Sequence, residues 1–218
     1  MKHLPAGLAT CLGWILGSCA HMSLTTTGFL TDPESLERSP EREVAFIPDR
    51  LEWFEAEGVD WSGYRTLLIE PVEYVTGDGT RHPLPDEEAR AYLTRKYRDH
   101  LVRELGQVFS VAEDARASSA DGHTLRLRAA ITDVDPEWVW LNVLGTILVV
   151  PPDMGGISTE LELVDVESGE RLLAMRAYRE GTVFLFLEVF HRWGHAKHGM
   201  KKWSKLLRRE LESRATPS

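Results

Sequence analysis

The chain has 218 residues, of which 27% are charged, and a formal net charge of −9. This length fits one domain with tails, and the composition is that of a folded globular protein. The acidic balance argues against a dedicated nucleic-acid binder. The absence of any apolar run of about 18 residues excludes a polytopic membrane protein.

The N-terminus has the pattern of a bacterial lipoprotein signal. Lys2 gives a positive start, and the uncharged stretch 4–16 is apolar but too short to span a bilayer. This stretch ends in a lipobox-like sequence of an aliphatic residue, two small residues and a cysteine, namely Leu16, Gly17, Ser18 and Cys19. The thiol of Cys19 would accept a diacylglyceryl group, and its freed amino group a further chain such as palmitate. Two or three acyl chains anchor stably, whereas one is marginal. The alternative is an ordinary cleaved signal with an incidental cysteine.

Cleavage before Cys19 would leave that residue as the only cysteine, because Cys11 lies inside the apolar stretch. We therefore expect neither a disulfide nor thiol catalysis. Ala20 follows Cys19, and an Asp at that place commonly retains bacterial lipoproteins in the inner membrane. Its absence predicts a lipid anchor in the outer membrane, facing the periplasm.

The chain divides into three parts. Residues 1–18 are the predicted signal peptide, residues 19–45 a lipidated N-terminus and flexible tether, and residues 46–218 a single periplasmic domain. Within the tether, Phe29 and Leu30 form a small apolar island that we expect to dock on the domain surface.

The periodicity of apolar residues predicts the elements of the domain. In chain order they are a strand at 65–75, a helix from Pro85 to Gly106, strands at 108–112, 124–134, 158–166 and 171–178, and a long helix at 184–212. Residues 167–170 are the turn of a predicted hairpin. Because hairpins dominate, we predict an α+β fold with a mainly antiparallel sheet. One amphipathic helix follows the first strand, a long helix ends the chain, and both lie on one side of the sheet.

The C-terminal helix has an apolar and a basic face at 100° per residue. The apolar face consists of Trp193, Ala196, Met200, Trp203, Leu207 and Leu211. The opposite, exposed face carries His191, His195, His198, Lys202, Lys205 and Arg209. Seven Lys or Arg residues and no acid lie between His191 and Arg209. Such a patch attracts the phosphates of lipid or lipopolysaccharide, or an acidic protein. The alternative is a solvated face that complements the helix dipole.

Sites for metals, cofactors and catalysis are not indicated. Three histidines at helical spacing could face zinc, but no HExxH pattern, carboxylate or cysteine accompanies them. Asp133, Asp135 and Glu137 lack the glycine of a calcium loop and predict a turn at a strand end. The uncharged segment 139–150 predicts a buried strand, or alternatively an exposed apolar surface for a partner. Nucleotide and serine-hydrolase motifs are absent from the sequence.

Six stretches together resemble the domain of unknown function 3313 family of bacterial lipoproteins. They are Thr27–Leu30, Val59–Tyr64, Glu70–Val72, Leu125–Asp133, Glu160–Asp165 with Ser168–Glu170, and the helix with Trp193, Trp203 and Leu207. The resemblance covers nearly the whole mature chain. It implies an envelope lipoprotein without an established activity, and it transfers no catalytic residues.

We therefore expect a non-enzymatic binding or accessory module, held to the membrane through Cys19. Its partner would be an envelope component, either a protein complex or an anionic glycolipid, and not a nucleic acid. An envelope hydrolase acting on peptidoglycan or lipid is one alternative, and a structural spacer is another.

Overall fold

The computed structural model describes residues 27–43, 49–77, 80, 82–112, 123–135, 156–180 and 193–215. Several sequence predictions lie outside these residues: the signal peptide with its lipobox and Cys19, the apolar segment 139–150, residues 184–192 of the predicted long helix, and His191.

Eight strands and two helices make up the described part of the domain. The strands are β1 (Glu37–Arg38), β2 (Asp49–Glu55), β3 (Tyr64–Ile69), β4 (Glu73–Tyr74), β5 (Ser110–Ala112), β6 (His123–Asp135), β7 (Gly156–Asp165) and β8 (Arg171–Glu180); the helices are α1 (Glu87–Leu105) and α2 (Gly194–Ala215). The order across the sheet is β1-β2-β8-β7-β6-β3-β5, and β4 pairs with β6. Neither helix is both long enough and apolar enough to cross a membrane.

The sheet is mixed, so the α+β class is confirmed and the mainly antiparallel sheet is wrong. The run from β1 through β2, β8 and β7 to β6 is antiparallel. In contrast, β3 runs parallel to both β5 and β6, and β4 runs parallel to β6. The physical reason is the crossover through α1, which returns the chain to the end of the sheet where β3 began. The strand that follows such a helix must run parallel to the strand that precedes it.

Local sequence signals set both ends of α1. Asp86 is the N-cap, and its side chain accepts a hydrogen bond of 2.8 Å from the amide of Ala89. Glu87 and Glu88 place negative charge in the first turn, where the helix dipole favours it. The helix ends before Gly106, as predicted.

The hairpin predicted from the acidic turn is also confirmed, with β7 and β8 antiparallel. Asp165 Oδ1 accepts hydrogen bonds from the Ser168 amide (2.6 Å) and hydroxyl (2.9 Å). Gly169 has φ +72°, a left-handed conformation that a residue without Cβ adopts without strain. Burial would raise the pKa of Asp165, but these hydrogen bonds and one from Tyr64 outweigh it and lower the pKa.

One hydrophobic core joins both helices to the sheet. It contains the step-of-four stripe of α1, inward residues of the strands and the apolar face of α2. The largest fully buried side chains include Trp203 of α2 and Tyr97 of α1. Alternation along β6 and β7 places leucines in this core and charged residues on the other face, because successive strand side chains point to opposite sides.

The first part of the strap, as we call residues 27–43, lies on that other face, and the chain then follows the edge of the sheet through β1 to Arg42, which pairs with Glu210 of α2. A flexible tether was expected over residues 19–45, but in this described part β1 pairs with β2 and the chain makes two short 3₁₀ turns. Phe29 and Leu30 are buried against Ala130 and Ala174, so the predicted docking of this island is confirmed. The two alanines leave room on the sheet for the larger side chains of the strap.

Candidate functional site

The apolar face predicted for α2 is buried as expected, except that Trp193 precedes the helix and is only partly buried. Ala196, Met200, Trp203, Leu207 and Leu211 are each at most 2% exposed. The buried stripe is wider than predicted, because α2 packs at the same time on α1, on β7 and on the turn at 61–63. Residues beside the apolar face are therefore drawn into contacts as well.

Two residues assigned to the exposed basic face are not exposed. His195 is 3% exposed and belongs to the buried stripe. Lys202 is half-buried and forms an ion pair with Asp49, whose side chain is 1% exposed and which also faces Arg179 at 3.7 Å. Burial lowers the pKa of Lys202, and the Asp49 carboxylate opposes this effect. The predicted exposure of His195 and Lys202 is therefore wrong, because both take part in the packing of the domain.

Four other basic residues of α2 form a single line along the helix. Lys197, Lys201, Lys205 and Arg209 follow one another at steps of four, which places them on one side. Lys197 is half-buried and the other three are exposed. No ion pair joins these four to a carboxylate in the part of the chain that the structure describes. We call them the cation row.

A cleft between α1 and α2 extends the cation row onto the neighbouring helix. Its volume is about 430 Å³, and it is lined by Tyr92, Lys96, His100, Gly194, Lys197, His198 and Lys201. We call this cleft the basic groove. Lys96 Nζ lies 5.9 Å from the centre of the Tyr92 ring and 3.7 Å from Asp99 Oδ2. The groove therefore joins cations of both helices around one aromatic ring.

The pKa of His100 is lowered by its surroundings in the basic groove. Arg103 Nη2 lies 2.7 Å from His100 Nδ1, so a neutral imidazole accepts this hydrogen bond and carries its proton on Nε2. Burial lowers the pKa of His100, and the positive charges of Arg103 and Lys201 lower it further. The pKa moves in the direction expected of a site with excess positive charge.

The opposite end of the interface between the helices is electrically balanced. Glu104 of α1 is 6% exposed, and its two carboxylate oxygens face Arg103 and Arg208, each at 3.4 Å. Arg208 also pairs with Glu212. At this end the positive charges of Arg103 and Arg208 are paired with carboxylates, whereas Lys197 and Lys201 in the basic groove have no such pair among the residues that the structure describes.

The sheet face under the strap carries a second cluster of charges. Glu52, Arg176 and Glu160 are neighbours in register on β2, β8 and β7. Arg176 donates to Glu52 at 3.0 Å and to Glu160 at 3.1 Å, and Glu160 is 1% exposed. From the strap, Thr27 Oγ1 donates to Glu160 Oε2 at 2.6 Å. These charges pair with one another within the domain, and Glu160 holds the strap, so they have a structural use.

A second pair of charges fixes the strap one strand further along. Arg128 on β6 donates to Glu162 on β7 at 2.5 Å. The guanidinium of Arg128 also lies 4.8 Å from the centre of the Phe29 ring, which is cation–π geometry. Phe29 is thus held by apolar contacts below and by a cation above.

The acidic run considered for chemistry contacts one histidine. His82 Nδ1 lies 3.1 Å from Asp133 Oδ2, and its Nε2 lies 3.5 Å from Asp135 Oδ2. Asp133 and Asp135 belong to β6 itself, where a turn was predicted. Within the described ranges, no group of three or more His, Cys, Asp or Glu side chains is placed to hold a metal ion.

The basic groove is the site that sequence reasoning missed. Lys96 and His100 lie on α1, about a hundred residues from their neighbours on α2. One signal was present: five lysines follow Cys19, four of them lie between residues 197 and 205, and the fifth is Lys96. Lys96 and His100 are four residues apart, so the sequence also places both on one face of the predicted helix.

Comparison with solved structures finds distant likenesses. A PelC dodecamer from Paraburkholderia phytofirmans is 11% identical, with 73% of this chain and 97% of that chain covered and a TM-score of 0.43. A DUF4136 family protein from Bacteroides thetaiotaomicron is 8% identical, with coverages of 76% and 96% and a TM-score of 0.40. These values are too low to carry an argument about function. No curated protein matches the chain.

The family comparison is more informative, because it extends from the strap to α2. Residues 25–207 match the model of a family described as a protein of unknown function, DUF3313. This confirms the resemblance found in the sequence. The chain belongs to the DUF3313 family.

Proposed function

We propose that the chain is a lipid-anchored protein of the bacterial cell envelope that binds an anionic envelope component. Cys19 carries the acyl chains, and the domain works in the periplasm, held by the outer membrane. The cation row on α2 makes the contact, and the protein catalyses no reaction. Phe29 and Leu30 of the strap pack in a cluster separate from the core that contains the buried faces of both helices, so they leave the row open to a partner.

The cation row carries this proposal. In a chain of net charge −9, most arginines of the described residues are used in ion pairs with the domain's own carboxylates, whereas these four cations are not. Arginine suits such internal pairs because its planar fork matches a carboxylate. Exposed cations without an internal partner attract external anions.

The strap supports the anchor. Thr27 is fixed to Glu160, and it is only the eighth residue after Cys19. An extended chain spans at most about 3.6 Å per residue, so the domain stays within about 30 Å of an acylated Cys19. Such a short link raises the effective concentration of membrane headgroups at the domain.

The anchor is tested by feeding cells a labelled fatty acid and fractionating their membranes. The wild type is expected to take up label and to appear in the outer-membrane fraction. Cys19→Ala should lose the label, and the matched control Cys11→Ala should keep it. A wild type that remains unlabelled and soluble would overturn the anchor.

The contact is tested with vesicles that contain lipopolysaccharide and the secreted Cys19→Ala chain. The double variant Lys201→Glu with Lys205→Glu should lose co-sedimentation, whereas Arg65→Glu with Arg95→Glu changes the net charge equally elsewhere and should retain it. Equal binding by both variants would instead favour a structural spacer.

A further inference from the structure

The lysines of the chain are distributed unevenly. All five lysines after Cys19 lie on α2 or on the facing turn of α1. Three of them, Lys96, Lys197 and Lys201, line the basic groove. Arginine forms most of the internal ion pairs, whereas lysine, a compact point charge with three donors, supplies the cations of this groove.

Little negative charge opposes these lysines from within the domain. Asp99, 54% exposed, lies 3.7 Å from Lys96 Nζ, and no ion pair is formed by Lys197 or Lys201 among the described residues. The acid nearest the far end of the groove, Glu104, is already engaged by two arginines. An anion that enters the groove therefore meets two lysines without an ion pair in the described part of the domain, Lys197 and Lys201, and a third, Lys96, whose one acidic neighbour is exposed.

The shape of the groove selects the size of that anion. Its volume of about 430 Å³ lies within the range of small-molecule sites, and its two walls are separate helices that meet in a packed interface. The Tyr92 ring supplies an apolar wall beside Lys96. A bare ion would not fill this space, whereas a phosphate carried on a small organic group would.

The geometry points to a binding site for a phosphomonoester in the basic groove, with Lys96 on one side and Lys197 and Lys201 on the other. Lysine binds phosphate as a point charge, and cations on two walls can reach different oxygens of one group. This inference rests on the proposed function, because it names the chemistry that the basic surface binds. The phosphomonoester is either a lipid headgroup or a soluble ester.

The test uses the secreted Cys19→Ala chain and two probes, glycerol 3-phosphate and phosphatidylcholine vesicles containing phosphatidic acid. The groove variant is Lys96→Gln with Lys201→Gln. The control is Arg65→Gln with Arg126→Gln, which removes the same charge from exposed side chains of β3 and β6, away from the groove and the cation row. Thermal unfolding checks that both variants fold. A third variant, Lys201→Arg alone, should bind like the wild type because it retains the positive charge.

The groove variant is expected to lose at least tenfold in affinity, and the control less than twofold. Groove-dependent binding of glycerol 3-phosphate identifies a soluble ester, and groove-dependent binding of the vesicles alone identifies a lipid headgroup. Equal losses in the two variants would show diffuse attraction and overturn the site, as would a wild type that binds neither probe. Because the chain tested is not acylated, an error about the Cys19 anchor would leave this result unaffected.

Discussion

Gly199 packs α2 closely against β7. A Cβ at this position would lie 2.7 Å from Ile157 Cγ2 and 3.6 Å from two atoms of the Trp203 ring. Ile157 is 1% exposed and Trp203 is fully buried, so neither can move into solvent. Non-bonded carbons are most stable about 3.5–4.0 Å apart, so the new methyl would overlap Ile157 by roughly 0.8 Å.

Two effects of Gly199→Ala therefore oppose each other. Helix propensity alone would stabilise the protein by about 1 kcal/mol, because Gly is a poor helix former. Overpacking a tight core costs about 1–3 kcal/mol. We expect the clash to dominate and the free energy of unfolding to fall by about 1 kcal/mol, measured by urea denaturation.

A double-mutant cycle isolates the contact. Ile157→Ala removes Cγ2, so Gly199→Ala should then stabilise the protein by about 1 kcal/mol through its propensity. Ile157→Val retains Cγ2 and serves as the control, in which Gly199→Ala should still destabilise. The reasoning is refuted if Gly199→Ala stabilises the otherwise unchanged protein, or if its effect is the same in all three backgrounds.

Three further predictions concern the ion pairs and the strap. Asp49→Asn should lower the free energy of unfolding by about 3 kcal/mol and Lys202→Met by only about 1, because Asp49 is the more deeply buried partner and faces two cations; urea midpoints that rank them in reverse would contradict this. Phe29→Ala should weaken the docking of the strap by about 2–3 kcal/mol, seen as faster amide exchange and trypsin cleavage in the strap, with unchanged rates counting against it. Lys201→Gln should raise the pKa of His100 towards its ordinary value, because a nearby positive charge is lost. An NMR titration checks the sign, and an unchanged or lower pKa would show that Lys201 does not act on this imidazole.

The sequence determined those features that depend on neighbours along the chain. The N-cap at Asp86, the end of α1 before Gly106 and the hairpin turn before Arg171 arise from interactions over a few residues. Capping side chains, turn residues and the spacing of apolar residues therefore predict these features from the local sequence. The apolar face of α2 was predictable for the same reason.

Tertiary structure decided the features that depend on distant partners. The sequence alone predicts that Lys202 is a surface cation, but the fold places it beside Asp49, 153 residues away. The sequence alone predicts a tether where the strap lies, but in the fold Glu160, 133 residues from Thr27, accepts a hydrogen bond from the Thr27 hydroxyl. Hydropathy along one segment records which residues avoid water, but it does not record which residue will meet a given charge. The parallel strands, the buried His195 and the basic groove were therefore decided only when the helices and the sheet came together.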